Sequence, residues 1–201
     1  MSRLLESVVL ASASPRRLAL LRSLALDVRV VKSTYGEPTL PGKTPVETAR
    51  VHAAEKLRDV LQSANFADDV VVAADTVVDL AGTALGKPRD ERDAARMLAL
   101  LSGRTHVVHT AFALAAPKHR QIFGCESTEV TFFALSPREI AGYVASGEPM
   151  DKAGGYGIQG TGATLVERIN GDFYAVMGFP LARFARALAD LDFALPVAKL
   201  R

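Results

Sequence analysis

The chain has 201 residues, which is enough to bury a sizeable core in one large domain or in two closely packed lobes. Its net charge of +2 at pH 7 does not require a nucleic-acid-binding surface, and its apolar runs are shorter than the roughly 20 residues of a membrane span. The single cysteine, Cys125, excludes an intrachain disulfide framework and a cysteine-rich metal site. One thiol and a start without a signal-peptide pattern predict a cytoplasmic protein, and we expect it to bind neither nucleic acid nor a membrane.

The first predicted elements are a strand and a helix. Residues 8–11 form a short apolar run that is typical of a buried strand. Ser14 is placed to cap the helix that follows, and Pro15 occupies its first position, where a missing N–H has no consequence. Glycines and prolines over residues 33–45 predict a loop, and residues 45–62 predict a second helix.

The first turn of the helix that follows Ser14 contains two cations, Arg16 and Arg17, although the helix dipole favours acidic residues there. No acidic residue lies nearby in sequence to compensate them. An anion at this position would be held by free backbone N–H groups and by both guanidinium groups, with the Ser12 hydroxyl as a further donor. The pattern therefore indicates a phosphate site. The alternative is a solvated pair of arginines.

A second anomaly is a polar pair inside the apolar run at residues 70–78, which predicts a strand covered on both faces. A buried carboxylate without a partner is costly, so Asp75 must meet a metal, a cation or a network of donors. If it stays ionised, it can hold Mg²⁺ or take a proton from an attacking water. The alternative is a structural aspartate bonded to a neighbouring loop. Thr76 is expected on the opposite face of the strand.

Helices and strands alternate along the rest of the chain. Beyond a loop at 86–88, we predict a helix over 91–101 capped by Asp90, and strands over 107–115 and 127–133. A further helix is predicted from the capping box of Ser136 and Glu139 to Gly147. Asn170-Gly171 predicts a hairpin between strands 164–169 and 174–177, and the last helix is predicted from Pro180 to about residue 191. This mixture of hairpins and helical crossovers predicts an α/β fold with a mixed sheet.

The segment from Gly147 to Gly162 contains six glycines with both ends counted, too many for a regular element. Long loops of this kind are functional or disordered, and the apolar residues here argue against disorder. Lys152, Tyr156 and Gln159 would bring a charge, a stacking face and an amide to a ligand. Because an amide both donates and accepts, Gln159 suits the recognition of a base edge.

The histidines do not predict a metal site. His106 and His109 are three apart on a predicted strand, so their side chains face opposite ways and cannot share one metal. His52 and His119 are predicted to be surface residues. The sequence contains neither a Walker A motif nor a Gly-x-Gly-x-x-Gly motif after the first strand.

These features occur as a series of motifs in a fixed order. They are residues 10–17, residues 74–78, residues 86–88, Ser102-Gly103 with His106 and Thr110, and residues 146–160. With this series, the chain resembles the Maf family of nucleoside triphosphate pyrophosphatases over essentially its whole length. The last motif is similar to that of the subgroup that acts on dTTP and UTP.

The resemblance implies a fold and an activity. The fold would be a mixed, twisted α/β sheet in two lobes with a central cleft, similar to that of inosine-triphosphate pyrophosphatases, in a single domain over residues 1–201. The activity would be the metal-dependent hydrolysis of nucleoside triphosphates to the monophosphate and pyrophosphate, which limits non-standard nucleotides in the pool. Mg²⁺ or Mn²⁺ would be the cofactor, and a homodimer is expected.

The resemblance also implies roles for individual residues. Asp75 would be the general base beside the metal, and Glu37 a second metal ligand. Substrate choice would depend on Arg16, Thr76 and Gln159. The triphosphate would be contacted or neutralised by the remaining residues, Ser12, Arg17, Lys56 and Lys87.

One segment departs from the family pattern. An acidic cluster such as Asp-x-Asp-Glu often follows the second strand, whereas this chain has residues 33–37 in the sequence Ser-Thr-Tyr-Gly-Glu and keeps only Glu37. If an earlier aspartate also binds the metal, the affinity for metal is reduced here. Two other functions stay open from the sequence: the same reaction on other or modified bases, and a non-catalytic nucleotide-binding role in the control of cell division.

Overall fold

The structure is a computed structural model that describes residues 2–64, 66–117 and 120–196. Its strands are β1 (Arg3–Leu4), β2 (Ser7–Leu10), β3 (Asp27–Val30), β4 (Val71–Leu80), β5 (Thr83–Leu85), β6 (Thr105–Ala116), β7 (Arg120–Phe132), β8 (Val166–Asn170) and β9 (Phe193–Ala194). Its helices are α1 (Pro15–Arg22), α2 (Pro45–Ser63), α3 (Glu91–Leu101), α4 (Pro137–Ala145), α5 (Phe173–Met177) and α6 (Leu181–Asp190). No helix in these ranges is long and apolar enough to cross a membrane.

The main sheet is mixed, as the sequence predicts. Its strand order is β3-β2-β4-β6-β7-β8, with β5 paired to β4, and β2 lies parallel to both of its neighbours while the other pairs are antiparallel. The pairing of β2 with β4 ends at Val72, and that of β5 begins at Val78. Residues 73–77 of β4 therefore have β6 on one side and, among the described residues, no strand on the other. This gap in the sheet is where the site is built.

Side chains on the two faces of β4 enter different cores. Ala74 packs in a core with α1 and α6, and Val78 packs in a second core with α3 and α4. Both residues lie on one face, because strand side chains alternate with a period of two. Ala73 and Val77 lie on the other face, in a third core beneath α2. The two cores on the first face correspond to the two predicted lobes.

Local chemistry sets the starts of the helices. The Ser14 hydroxyl accepts from the Arg17 N–H at the start of α1, and the carboxylate of Asp90 caps α3 in the same way. Ser136 and Glu139 form both bonds of a capping box at α4, as predicted. Each cap satisfies an N–H group that has no partner within the helix.

The hairpin predicted at Asn170-Gly171 is wrong. β8 ends at Asn170, and the next residues form helix α5 rather than a returning strand. The reason is the cap: the Asp172 carboxylate accepts from the N–H groups of Tyr174 and Ala175, which starts a helix immediately after the turn.

Strand β7 is longer than predicted, since it begins at Arg120 rather than near residue 127. It pairs with β6 from Arg120 to Thr131. Gly124 lies against the Phe112 ring, where an added Cβ would come within 2.4 Å of a ring carbon. Gly124 weakens the strand pattern in the sequence, but in the structure a glycine is required there because the Phe112 ring packs against its backbone.

Candidate active site

A cleft of about 890 Å³ opens at the gap in the sheet. Ligand pockets for small molecules commonly have volumes of roughly 300–1,000 Å³. The cleft is lined by all of the site residues predicted from the sequence, namely Ser12, Arg16, Arg17, Glu37, Lys56, Asp75, Thr76, Lys87 and Gln159. The fold thus brings together residues from six separate segments of the chain.

The most buried charges in the cleft are those of Asp75 and Lys56. Helix α2 packs across β4, so that Lys56 Nζ lies 2.6 Å from Asp75 Oδ1 and 2.7 Å from Glu37 Oε1. The side chains of Lys56 and Asp75 are only 9% and 8% exposed. Of the three partners predicted for a buried Asp75, a metal, a cation or a network of donors, the structure shows a cation, Lys56. Two carboxylate oxygens therefore converge on a single position that holds a cation.

Glu37 reaches this position from the loop between β3 and α2. The carboxylate of Asp59 in α2 anchors that loop by accepting from the Ser33 hydroxyl and from the backbone N–H and hydroxyl of Thr34. Burial alone raises the pKa of Glu37, but the hydrogen bond and positive charge of Lys56 outweigh it, and the pKa lies below its usual value. Glu37 is therefore ionised at neutral pH.

Arg17 is half-buried, and each of its three side-chain nitrogens donates to a neutral oxygen. Nε donates to the carbonyl of Gly178 at 2.9 Å, Nη1 to Ser12 Oγ at 3.3 Å and Nη2 to Thr76 Oγ1 at 3.2 Å. Burial lowers the pKa of Arg17, and the negative charge of Asp75 opposes that effect. Because these acceptors carry no charge, the guanidinium group is fixed in place while its charge stays available to an anion in the cleft.

Arg16 differs from its neighbour, since Arg16 Nη1 forms an ion pair with Asp151 Oδ2 at 2.9 Å. Sequence reasoning found no compensating acid because Asp151 is far away along the chain and is brought to α1 by the fold. Of the two arginines, Arg16 is thus compensated by an acid that is distant in sequence. Both partners are partly exposed, at 32% and 58%, so water and salt screen the pair.

Thr76 lies on the face opposite to Asp75, as predicted, between the two cores on that face. Its hydroxyl oxygen lies 3.0 Å from that of Thr110 on β6, and the Thr110 hydroxyl donates to the carbonyl of Ala175 in α5. This chain of hydroxyls occupies the boundary between the lobes. It places Thr76 against Arg17 at the bottom of the cleft.

The glycine-rich segment is ordered as a series of 3₁₀ turns, Glu148–Asp151, Ala153–Gly155 and Gly160–Leu165. The N–H of Gly154 donates to the carbonyl of Gly86, which joins this segment to the loop that carries Lys87. The side chain of Lys152 bonds back to the carbonyl of Glu148, whereas Gln159 is exposed at the cleft. We call residues 148–162 the glycine-rich loop.

Tyr156 is not available as a stacking face, contrary to expectation. It is 5% exposed and packs edge-on against Phe132 and His106, with its hydroxyl 2.7 Å from His106 Nε2. Burial lowers the pKa of His106 to about 4, so that this histidine is neutral at pH 7. The pair anchors the glycine-rich loop to the core rather than binding a ligand.

The other histidines follow the predictions in part. His109 faces away from His106, as predicted, and contacts Ser127 and Asp79. His52 is only 6% exposed, so its assignment to the surface is wrong. Its Nδ1 lies 3.1 Å from the Tyr35 hydroxyl, which satisfies a polar atom on the buried face of α2. His119 lies outside the described residues.

Sequence reasoning missed several residues that hold the site together. Asp59 and Asp151 each meet a partner in a distant segment, and no local pattern marks them. Tyr143 and Glu148 bond to one another and to the glycine-rich loop. Only the clustering of glycines after Glu148 could have signalled a nearby acceptor for their N–H groups.

Comparison of the sequence with known proteins finds a family model and several named relatives. Residues 7–191 match the model of the family described as Maf-like protein. Relatives named dTTP/UTP pyrophosphatase include those of Aquifex aeolicus, 46% identical over 92% of this chain and 95% of the relative, and Bacillus velezensis, 44% identical over 93% and 97%. A third, from Clostridium perfringens, is 44% identical over 92% of this chain and 97% of the relative.

Solved structures give a weaker likeness. A nucleoside-triphosphatase, or dITP/XTP pyrophosphatase, from Mycobacterium abscessus covers 96% of this chain and 99% of its own, with 18% identity and a TM-score of 0.42. A HAM1 protein from Coxiella burnetii covers 94% and 97%, with 17% identity and a TM-score of 0.45. The family and the sequence relatives are therefore what bears on function.

Proposed function

Because the chain belongs to the Maf family, we propose that it hydrolyses dTTP and UTP to the nucleoside monophosphate and pyrophosphate, with the help of a divalent metal. The observation that carries this proposal is the meeting of a buried carboxylate, Asp75, with a second carboxylate and several cations in one nucleotide-sized cleft. The names of the sequence relatives supply the substrates.

The cations of the cleft suit a triphosphate. Arg17 is held rigidly by neutral acceptors, Arg16 is only partly engaged by an exposed acid, and Lys87 is exposed at the rim. The Ser12 hydroxyl accepts from Arg17 beside the start of α1. Pro15 has no N–H and that of Arg17 is already capped by Ser14, so side chains rather than a set of free N–H groups favour an anion here. We assign the three cations and Ser12 to the phosphate chain.

Two carboxylates fit a divalent cation. Glu37 and Asp75 already direct one oxygen each at the Lys56 ammonium, so the position is suited to positive charge. Mg²⁺ is commonly held by one or two carboxylates together with substrate phosphates, which matches this donor set without the acids missing from residues 33–36. When bound there, such an ion polarises phosphoryl oxygens and offsets developing negative charge.

The chemistry of the residues follows from their placement. Asp75, paired with Lys56 and shielded from bulk solvent, takes a proton from a water whose oxygen attacks the α-phosphorus. The bond between that phosphorus and the bridging oxygen to the β-phosphate breaks, and pyrophosphate leaves with the electron pair. Arg16, Arg17, Lys56 and Lys87 meet the growing charge on the leaving group, which is where fixed cations accelerate such reactions most.

The choice of base is assigned to residues at the two sides of the cleft. Gln159 offers an amide donor and an acceptor from the glycine-rich loop, and Thr76 offers a hydroxyl from β4. Arg16 links the two sides through its pair with Asp151. A pyrimidine edge presents both a carbonyl and an N–H in dTTP and UTP, which such an amide can match.

Hydrolysis of a panel of nucleoside triphosphates tests the proposal, with Mg²⁺ or Mn²⁺ added and pyrophosphate scored separately from orthophosphate. We expect pyrophosphate and monophosphate, fastest with dTTP and UTP. Pyrophosphate from other bases alone would preserve the reaction and refute the base preference. Binding without hydrolysis of any nucleotide would favour a regulatory nucleotide-binding protein.

We also propose a homodimer in the cytoplasm that limits non-standard nucleotides, an assembly and a role that are taken from the family resemblance. Light scattering coupled to size-exclusion chromatography checks the assembly, with a mass of about twice the 21.4 kDa chain expected. A monomer at micromolar concentration would refute the dimer but not the reaction, since all of the assigned site residues line one cleft of a single chain.

A further inference from the structure

The glycine-rich loop is closed by hydrogen bonds to two side chains that do not face the substrate. The Glu148 carboxylate accepts from the Tyr143 hydroxyl at 3.0 Å, from the N–H of Thr161 at 3.0 Å and from that of Gly162 at 3.3 Å. The Tyr143 hydroxyl in turn accepts from the N–H of Gly157 at 3.0 Å. We call Tyr143 and Glu148 the clasp.

The backbone of the loop packs directly on the clasp. A Cβ added to Gly162 would lie 2.6 Å from the Tyr143 hydroxyl oxygen and 2.2 Å from the carbonyl of Gly157. One added to Gly160, which has a φ of +66°, would lie 3.0 Å from a Glu148 carboxylate oxygen. Glycines are therefore needed at these positions because the chain wraps around a carboxylate, and not only to allow a ligand to approach.

The clasp fixes both ends of a short segment whose middle residue is Gln159. On one side Gly157 is bonded to Tyr143, and on the other Thr161 and Gly162 are bonded to Glu148. The carbonyl of Glu148 also accepts from Lys152 at 2.6 Å, so the same residue holds a second polar side chain of the loop. Movement of the clasp would displace Gln159 relative to Thr76 across the cleft.

We propose that Glu148 and Tyr143 are positioning residues that set the base preference by holding Gln159 in place, an inference that rests on the proposed role of Gln159. Neither residue lines the cleft, so their action is indirect. Ile158 is also buried and restrains the same segment, which limits the displacement that loss of the clasp can cause. The effect belongs to discrimination between bases and not to the hydrolytic step.

Two substitutions test the clasp. Tyr143→Phe keeps the buried ring and removes the hydroxyl, while Glu148→Gln places an amide donor against backbone N–H groups. We expect kcat/KM for dTTP and UTP to fall about tenfold, chiefly through KM, as for the loss of a hydrogen bond to a charged group. With CTP and GTP, kcat/KM should change little. The ratio of kcat/KM for dTTP and UTP to that for CTP and GTP should therefore fall by the same factor.

Matched variants control for general damage. Glu139→Gln keeps a capping box on α4, and Tyr174→Phe removes an exposed hydroxyl on α5, so both should behave as wild type. Amide hydrogen exchange should be faster over residues 157–162 in the clasp variants and unchanged in the controls. A purely structural role would lower activity equally on every nucleotide and leave the ratio between bases unaltered.

The outcomes separate this inference from the proposed function. If the wild-type enzyme prefers dTTP and UTP and both clasp variants keep the full preference, the inference is overturned while the proposed function stands. If the wild-type enzyme hydrolyses all bases equally, the base preference itself fails, and the inference falls with it. A reduced preference together with faster exchange in both variants supports it.

Discussion

The two sides of the cleft are built in different ways. On one side, Asp75, Lys56 and Glu37 form a compact ionic group, two of whose members project from a regular strand and helix. On the other side, the glycine-rich loop reaches the cleft through backbone turns, and hydrogen bonds to the clasp hold it. We call these the ionic side and the loop side.

The difference separates reaction from recognition. Side chains on packed elements are held most rigidly, which is what a group that must meet the α-phosphate needs. A loop can alter its contacts without disturbing the core, which suits the part that distinguishes bases. Changes on the ionic side should therefore affect all nucleotides alike, and changes on the loop side should affect them selectively.

The largest expected effect is that of Asp75→Asn on the ionic side. Loss of a general base typically costs about 10²–10⁴-fold in rate, and we expect such a loss with dTTP and with the poor substrates alike. The amide fits the same space and Lys56 keeps Glu37 as a partner, so the protein should stay folded. Steady-state pyrophosphate release and thermal unfolding measure the two properties. Activity close to that of wild type would remove Asp75 from the mechanism.

Acid should lower the free energy of unfolding through His106, which anchors the loop side by its contact with Tyr156. Because its pKa is near 4 in the folded protein and about 6.5 when exposed, the stability gained by keeping it neutral is full above pH 6.5 and is lost as the pH falls towards 4. The loss should amount to about 3 kcal/mol of unfolding free energy over this range. His106→Gln keeps a polar side chain next to Tyr156 but removes the group that titrates.

Denaturant unfolding at pH 4.5 and pH 8 measures that difference, with the variant as reference because all other groups titrate alike in both proteins. We expect the stability of wild type to fall more steeply with acid than that of His106→Gln. Parallel pH profiles would show that His106 is protonated without penalty, and the anchoring of the loop through Tyr156 would then not depend on pH.

Local signals in the sequence were enough for much of the fold. Ser14, Asp90 and Ser136 start helices where predicted, because a cap depends only on residues one turn away. The prediction of a hairpin at Asn170-Gly171 is wrong because it relied on the turn signal, whereas Asp172 caps a helix. The extent of the domain stays a prediction.

The site was predictable in its members but not in its contacts. Asp75 and Arg17 break local rules, and such violations mark functional positions. Arg16–Asp151 and Tyr35–His52 depend on pairings between distant segments, which no pattern along the chain reveals. The clasp was missed for a related reason, since the N–H groups that it holds lie 13 or 14 residues along the chain from their acceptors.

Lys56 offers a sharper test of the ionic side, because its ammonium occupies the position to which both carboxylates point. Lys56→Met should allow Mn²⁺ to bind without nucleotide about tenfold more tightly, since a competing charge is removed from a largely buried site. Turnover should fall with every nucleotide. Titration of the free Mn²⁺ signal by electron paramagnetic resonance measures the affinity, with Lys87→Met as the control at the exposed rim.

Unchanged or weaker Mn²⁺ binding in Lys56→Met would contradict that competition. It would mean that the two carboxylates do not form the cation position on their own. Tighter binding together with lost turnover would instead indicate that Lys56 leaves the carboxylates for the phosphates when the metal enters with the nucleotide.

The smallest effect should come from Lys87→Ala. This side chain is exposed and shares the phosphate chain with other cations, and a screened charge contact contributes only about 0.2–1 kcal/mol, so we expect a loss of about fivefold or less in kcat/KM. The loss should be equal for dTTP, UTP and CTP, because phosphates are common to all three. Gln159→Ala should have the opposite pattern and lower kcat/KM only for the preferred substrates, dTTP and UTP. A base-dependent loss in Lys87→Ala would show that the rim lysine acts through the loop side, to which Gly86 is bonded.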